Sequence, residues 1–406
     1  MPSEEVKKRF SIESESSSIE NPTKITKTVE VEEEEEDIQF SDEEEEEEEE
    51  ELQKPQIINN NPRMQRYLVA FEYHGGKFFG SQQQAVRRTV IGALQEAFRR
   101  FIGQPVKIIS SSRTDAGVHA LSNVCHVDVE RISKRRPGEV LPPYEPEVVR
   151  NAVNHYLLKY EGDVAVVDVR CIPADFHARH RALERTYFYR ILSGPEPLST
   201  FERGRAWHVE EELDIVAIQK ACRVLVGDHD FSSFRGTGCQ AKSPIKTLTE
   251  LSVTEVASTP YFPSKVERDQ ANPMEQDPIV SSSTSGIDVT CKVSVSIKDK
   301  LGGFDAAFGE EFGRRKVHRC YVITARARSF LYHQVSSLSL SLSKQLVLLN
   351  IDSQVRLLVG VLKAAGTGEI TTSDVERILN AKTVTATSAT APAYGLYLGR
   401  VKYKLP

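Results

Sequence analysis

The chain has 406 residues, 39% of them hydrophobic, enough to bury one large core or two moderate ones and so to build an extended surface between domains. Its net charge of −6 is unevenly spread: residues 1–54 carry 22 acidic and 6 basic side chains, a net of −16, which leaves +10 on the remainder. A body with that excess suits a polyanion such as nucleic acid, six scattered cysteines without a CxxC pair argue against a structural zinc or a disulfide scaffold, and no apolar run is long enough to span a bilayer.

In chain order, the acidic tail over 1–62, with VEEEEED and SDEEEEEEEEE, has almost nothing apolar to bury and is expected to be disordered. Its charge would compete in cis for any basic surface. It has neither the apolar run of a secretory signal nor the acid-poor composition of a transit peptide, so nucleus or cytoplasm are the expected compartments.

Alternation and β-branching predict strands at 64–73, 104–110, 123–129 and 163–170, while Val90, Leu94, Ala97, Phe98 and Phe101, and then Val149, Val153 and Tyr156, recur at helical spacing. That order, βαββαβ, is the ferredoxin-like unit, a sheet with helices on one face and the other open to a ligand. The pattern then repeats. A strand at 185–192 precedes a helix at 213–226 with Ile215, Ile218, Cys222 and Leu225 on one stripe, ending at Gly227. Strands at 247–256 and 318–328 follow, then a helical segment at 357–365, a short helix opening at a capping box from Ser373 to Glu376, and a last strand near 395–403. GTGE at 366–369 reads as a helix C-terminal turn. The fold class is α+β, with halves at 63–184 and 185–406 able to share a cleft. Residues 257–316, polar and rich in Pro and Ser, read as a flexible surface insertion.

The stretch RTDAGVHA (113–120) places Asp115 in a loop between two strands, with Gly117 free to take a positive φ and Arg113 two residues before. A carboxylate beside a guanidinium stays ionised, as a nucleophile or electrostatic stabiliser must, and an aspartate bonding turn amides fits the local sequence equally well. No second such loop supports an aspartic-protease pair. His119, His126 and Asp128 match no familiar metal-ligand spacing, so no metal is expected. The segment 175–190, DFHARHRALERTYFYR, interleaves Phe176, His177, Arg179, His180, Arg181, Arg185, Tyr187 and Tyr189, a mixture suited to phosphates and unstacked bases. On its strand Arg185, Tyr187 and Tyr189 face one way, so Tyr187 points either into a cleft or into the sheet. Walker loops, GxSxG and dinucleotide fingerprints are all missing, and no cofactor is implied.

Together RTDAGVHA, the FHAR segment with Tyr187 and Tyr189, GDHDFSSF (227–234), SFLYHQV (329–335) and APAYGLYL (391–398) resemble the TruA family of tRNA pseudouridine synthases, from about residue 64 to the C-terminus. The wording SSRTDAGVHALSN is similar to that of its eukaryotic branch. The resemblance implies two ferredoxin-like halves whose sheets join around a basic cleft, and cofactor-free isomerisation of uridine in tRNA. Other RNA substrates and a homodimer are further expectations. It also implies Asp115 as the catalytic carboxylate and Tyr187 as the tyrosine that stacks on a flipped base. Arg113 would position the flipped nucleotide or its backbone, with His119, His177, Arg179 and Arg185 as further RNA-contacting residues.

Two departures from the family pattern stand out. The family's arginine, which pairs with the catalytic aspartate, directly follows FLxHxV, where this chain has Ser336. The continuation VRLLVGVLKAAGTGE begins only at Val355, making Arg356 the match and residues 335–354 extra. That segment opens with Val-Ser and closes with Gln, codable as intron borders, which suggests a retained intron of 20 codons. If translated, it is expected to displace Arg356 and leave a catalytically impaired RNA-binding isoform. The second departure is Ser81, in FFGSQQQ, where the family usually has Trp. It is expected to matter less, as lying away from the carboxylate loop.

Overall fold

The computed structural model describes residues 64–256, 318–331 and 354–405, apart from 85, 134, 137, 138, 140, 160, 161, 237–242, 384, 385, 388 and 389. The acidic tail, the 257–316 insertion and most of the extra segment lie outside the described residues.

The first half runs β1 (Met64–Tyr73), α1 (Val90–Ile102), β2 (Ile108–Ser110), β3 (His119–Glu130), α2 (Pro146–Lys159) and β4 (Val164–Ile172). The second runs β5 (Ala182–Ser193), β6 (Trp207–Val209), α3 (Ile215–Leu225), β7 (Gly227–Asp230), β8 (Ile245–Val256), β9 (Arg319–Ala327), α4 (Gln354–Gly366), α5 (Thr372–Ala381) and β10 (Leu396–Tyr403). These strands form one mixed ten-stranded sheet in the order β4-β1-β3-β10-β5-β9-β8-β7, with β2 on β3 and β6 on β5.

The two strand sets meet at a short seam. β3 pairs along its length with β1, and its other edge is divided: Cys125, His126 and Val127 take β2, while His119 and Ala120 take Tyr397 and Leu398 of β10 in parallel. β10 in turn lies antiparallel to β5, opposing Tyr187 with Leu398. The seam therefore starts at the first residue of β3, at the last two residues of RTDAGVHA, and brings that turn beside β5.

Local chemistry accounts for the helices. Thr89 caps α1 by accepting from the Gly92 amide, Val90, Leu94, Ala97 and Phe98 form its buried stripe, and Gly103 closes it at φ 88°. Asp214 caps α3 by accepting from the Val216 and Ala217 amides. α4 is apolar on nearly every side and buried accordingly, packing on α3 so closely that a Cβ at Gly366 would lie 2.7 Å from Ile218.

Several expected boundaries move. The capping box of α5 is formed by Thr371 and Asp374, not Ser373 and Glu376, because Asp374 reaches back to the Thr371 amide while the Thr371 hydroxyl takes the Asp374 amide. The expected strand at 104–110 narrows to Ile108–Ser110, and that at 123–129 extends back to His119 through its seam with β10. Gly227, with φ 120°, opens β7 instead of ending α3, whose last cap is the extended Val226.

Candidate active site

The turn between β2 and β3 is held by backbone bonds, from the Ser111 amide to the Val124 carbonyl at 2.7 Å and from the Gly117 amide to the Phe78 carbonyl at 3.4 Å, and by a set of polar side chains. Asn123, fully buried on β3, donates from Nδ2 to the Ser112 carbonyl at 3.1 Å, and its Oδ1 accepts from the Ser111 hydroxyl at 3.1 Å and the Val124 amide at 2.8 Å. Thr114, just before Asp115, is bound at three atoms. Its amide donates to the Ser81 hydroxyl at 2.8 Å, its carbonyl accepts from the Ser81 amide at 2.9 Å, and its hydroxyl lies 2.7 Å from that of Tyr73. The expectation that Ser81 lies away from the carboxylate loop is thus overturned: buried at 1% exposure, it is the direct partner of the residue before Asp115. Gly117 takes φ 83°, the left-handed turn the sequence anticipated.

Asp115 opens into a cavity of about 320 Å³ that it shares with Arg113, Arg179, Tyr187, Phe330 and Val355. Tyr187 is 8% exposed, and its ring meets Phe330 edge to face with centroids 5.1 Å apart. Burial pushes its phenol well above the ordinary tyrosine range, the neighbouring Arg185 opposes the shift, and the Asp115 carboxylate adds to it. Tyr73 is pushed up to about 12, chiefly by burial against hydrogen bonds from Thr114 and Asn123, with Asp115 again contributing. Both phenols are therefore neutral at physiological pH, and both sense the charge of Asp115.

Arg356 sits in the first turn of α4, 4% exposed, its Nε donating to the Ala391 carbonyl at 2.7 Å while the Ala391 amide returns to the Arg356 carbonyl. Its neighbour Val355 lines the cavity. The expectation of an impaired isoform is not supported, since the two flanks of the extra segment stay joined. Leu331 and Gln354 meet directly: the Leu331 amide donates to Gln354 Oε1 at 2.8 Å, and the Gln354 amide reaches the Leu331 carbonyl at 3.4 Å. These two bonds join the end of the 318–331 stretch to the first residue of α4. Gln354, read from the sequence as the last extra residue, opens the helix in the place that Gln334 would hold in an uninterrupted chain.

Other residues expected at the site are positioned differently. His119 does not line the cavity. Its Nδ1 accepts from the Gly75 amide at 3.0 Å, its Nε2 lies 3.0 Å from the Gly204 carbonyl, and its ring stacks on Tyr397 with centroids 4.7 Å apart. Burial lowers its pKa to about 4, helped by His74, so it is a neutral seam residue. His177 accepts the Arg179 and His180 amides at Nδ1, and its pKa falls to about 3, first through burial and then through His180. It shapes the turn from which Arg179 and His180 reach the cavity wall. Arg185 lines the cavity too, but its guanidinium donates to the Ser112 hydroxyl and to backbone carbonyls. His126 accepts the Ala178 amide and Asp128 binds Arg66 through both oxygens, so the metal-like trio is dispersed. Among the described residues no cluster of three or more His, Cys, Asp or Glu could hold a metal ion.

Sequence reading missed Phe330, Arg328 and Asn123. The first two lie in or beside the quoted SFLYHQV motif and the third three residues past RTDAGVHA, yet only the fold turns them toward the same loop or cavity.

A family model described as tRNA pseudouridine synthase matches residues 69–177, 221–344 and 351–404, breaking within the extra segment. The chain is similar to tRNA pseudouridine synthase A of Parvibaculum lavamentivorans, 34% identical over 84% of this chain and 100% of the relative. It is 36% identical to the protein of that name from Rhodospirillum centenum over the same shares, and 33% identical to that of a Caulobacter species over 84% of this chain and 99% of the relative.

Proposed function

The chain belongs to the tRNA pseudouridine synthase family, isomerases that convert uridine to pseudouridine, and from that premise we propose that the cavity at Asp115 is where it isomerises uridine in tRNA. The observation that carries this reading is the opening of Asp115 into a cavity of about 320 Å³ whose wall holds Tyr187 and Phe330. That volume lies in the range of small-molecule sites, roughly 300–1,000 Å³. A flipped uracil slides against the Tyr187 ring, recovering part of the few kcal/mol spent on unstacking it. The Asp115 carboxylate engages the nucleoside while the N-glycosidic bond breaks. Uracil turns and rejoins the ribose through carbon 5, which loses its hydrogen as ring nitrogen 1 gains one. Arg113 and Arg179 on the same wall face the flanking phosphates, and Arg356, next in the chain to the cavity-lining Val355, is the proposed partner of the carboxylate. The strand order β4-β1-β3-β2 and the seam through β10 favour two ferredoxin-like halves joined around a basic cleft. A homodimer and a nuclear or cytoplasmic location complete the proposal, to be checked by sedimentation and by fractionation.

Asp115→Asn keeps shape and removes charge. Nuclease digestion and mass spectrometry of modified tRNA should find turnover reduced by about a thousandfold or more, with tRNA affinity within a few-fold of the parent. Turnover above about a tenth of the parent would place the chemistry elsewhere.

A further inference from the structure

We propose that Arg185 is a positioning residue, which fixes the Asp115 turn against the opposite wall of the cavity and makes no contact with RNA. The inference rests on the cavity being the site of the reaction. Arg185 lies on β5, a strand with neighbours along both edges: Val401 of β10 opposes it on one side and Ala327 of β9 on the other. From this fixed base its guanidinium reaches three separate segments. Nε donates to the Ser112 hydroxyl at 3.0 Å, Nη2 donates to the Ser111 carbonyl at 2.8 Å and to the Arg179 carbonyl at 3.2 Å, and Nη1 donates to the Arg328 carbonyl. Four of the five N–H groups of an arginine are thus engaged.

Each of those segments bears groups on the cavity wall. Ser111 and Ser112 lead into Asp115, Arg179 belongs to the turn after His177, and Arg328 begins the stretch that carries Phe330. Tyr187 follows two residues along the same face of β5, and the Ser112 hydroxyl lies between it and Arg185. The planar fork therefore sets the spacing between carboxylate turn and tyrosine. A guanidinium so occupied has little left for a phosphate, and its long side chain is already ordered before RNA arrives. Lysine cannot replace it, since one ammonium cannot span acceptors arrayed around a fork.

This separates two roles that are indistinguishable in sequence. A phosphate contact tolerates lysine, loses affinity on neutral substitution and contributes about one unit to the slope of log affinity against log salt. A positioning residue fails with lysine and leaves both affinity and slope alone. A misplacement of about 1 Å at reacting groups costs on the order of a hundredfold in rate. The full-length chain, Arg185→Lys and Arg185→Gln should be compared by single-turnover pseudouridine formation at saturating tRNA and by tRNA binding across a salt series. Both variants should be slowed about ten- to a hundredfold, with affinity within about twofold and the salt slope unchanged. Near-parental rate in Arg185→Lys, with weakened binding and a shallower slope in Arg185→Gln, would overturn the proposal in favour of an RNA contact. Should these variants fail to fold, Ser112→Ala, which removes one of the four acceptors, carries the test. A severalfold slower rate at unchanged affinity supports the tie, and an unchanged rate overturns it. Asp115→Asn run alongside separates the two ideas, because its retained activity would refute the site itself whatever Arg185 does.

Discussion

On one side of the cavity the turn at 111–118 is held largely by hydrogen bonds, from its backbone to Val124 and Phe78 and from its serines and threonine to Asn123, Ser81 and Tyr73. On the other, the backbone at Leu331 and Val355 is seated in the core, both side chains at 2–3% exposure, and α4 behind them is buried on nearly every face. The first rim is directional and the second is packed. A hydrogen-bonded rim fixes a carboxylate to a few tenths of an ångström but loses its geometry when a partner is removed, since each buried group left unsatisfied costs about 1–3 kcal/mol. A packed rim tolerates chain insertions at its surface, because the closure entropy of a loop grows only with the logarithm of its length.

Breaking the polar rim at its hub should have the largest effect. Asn123→Leu keeps the volume but removes the side-chain acceptor of the Ser111 hydroxyl and the Val124 amide and leaves the Ser112 carbonyl with the Ser110 hydroxyl alone, so chemical denaturation should register a loss of about 3 kcal/mol and pseudouridine formation should fall about a hundredfold or more. A stability within about 0.5 kcal/mol of the parent would show that the turn is held by something else. Ser81→Ala is milder, removing the acceptor for the Thr114 amide while the Ser81 amide still meets the Thr114 carbonyl. It should cost about 1–2 kcal/mol and slow the single-turnover rate several-fold without weakening tRNA binding. An unchanged rate would confine Ser81 to stability.

The smallest effect is expected on the packed rim. Excising residues 334–353 joins His333 to Gln354 and restores SFLYHQVRLLVGVLKAAGTGE, the same product as removing 335–354 because a Gln-Val pair stands at both ends. Since Leu331 and Gln354 are already bonded to each other, the rate should stay within about twofold and stability should rise by about 2 kcal/mol or less. A rate change of tenfold or more in either direction would mean that the segment acts on the site.

The elements whose periodicity dominates their surroundings could be read in sequence. The stripes of α1 and α3 and the long alternating strands β1, β5 and β8 all stand where the hydrophobic pattern is sustained. So did the turn holding Asp115, because a glycine at positive φ beside a charged pair leaves a local signature. Short strands such as β6 and β7 left none: three or four residues carry too little period, and their existence depends on a neighbour offering an edge.

Among the cationic and aromatic side chains of the 175–190 segment, sequence marked Arg185, His177 and Tyr187 alike as fit for RNA. Hydrogen-bonding capacity is spent where acceptors converge, and that depends on contacts distant in sequence, such as Arg185 with the Arg328 carbonyl or His119 with Gly204. Ser81 was underrated for the same reason, since its partner Thr114 lies 33 residues away. The sequence by itself determined which residue types the cavity could draw on, because local pattern and turn chemistry are written in neighbouring residues. Only the tertiary structure decided which of them face the cavity and which are consumed in holding it open, because a donor's fate is settled by the acceptors that folding brings within about 3 Å.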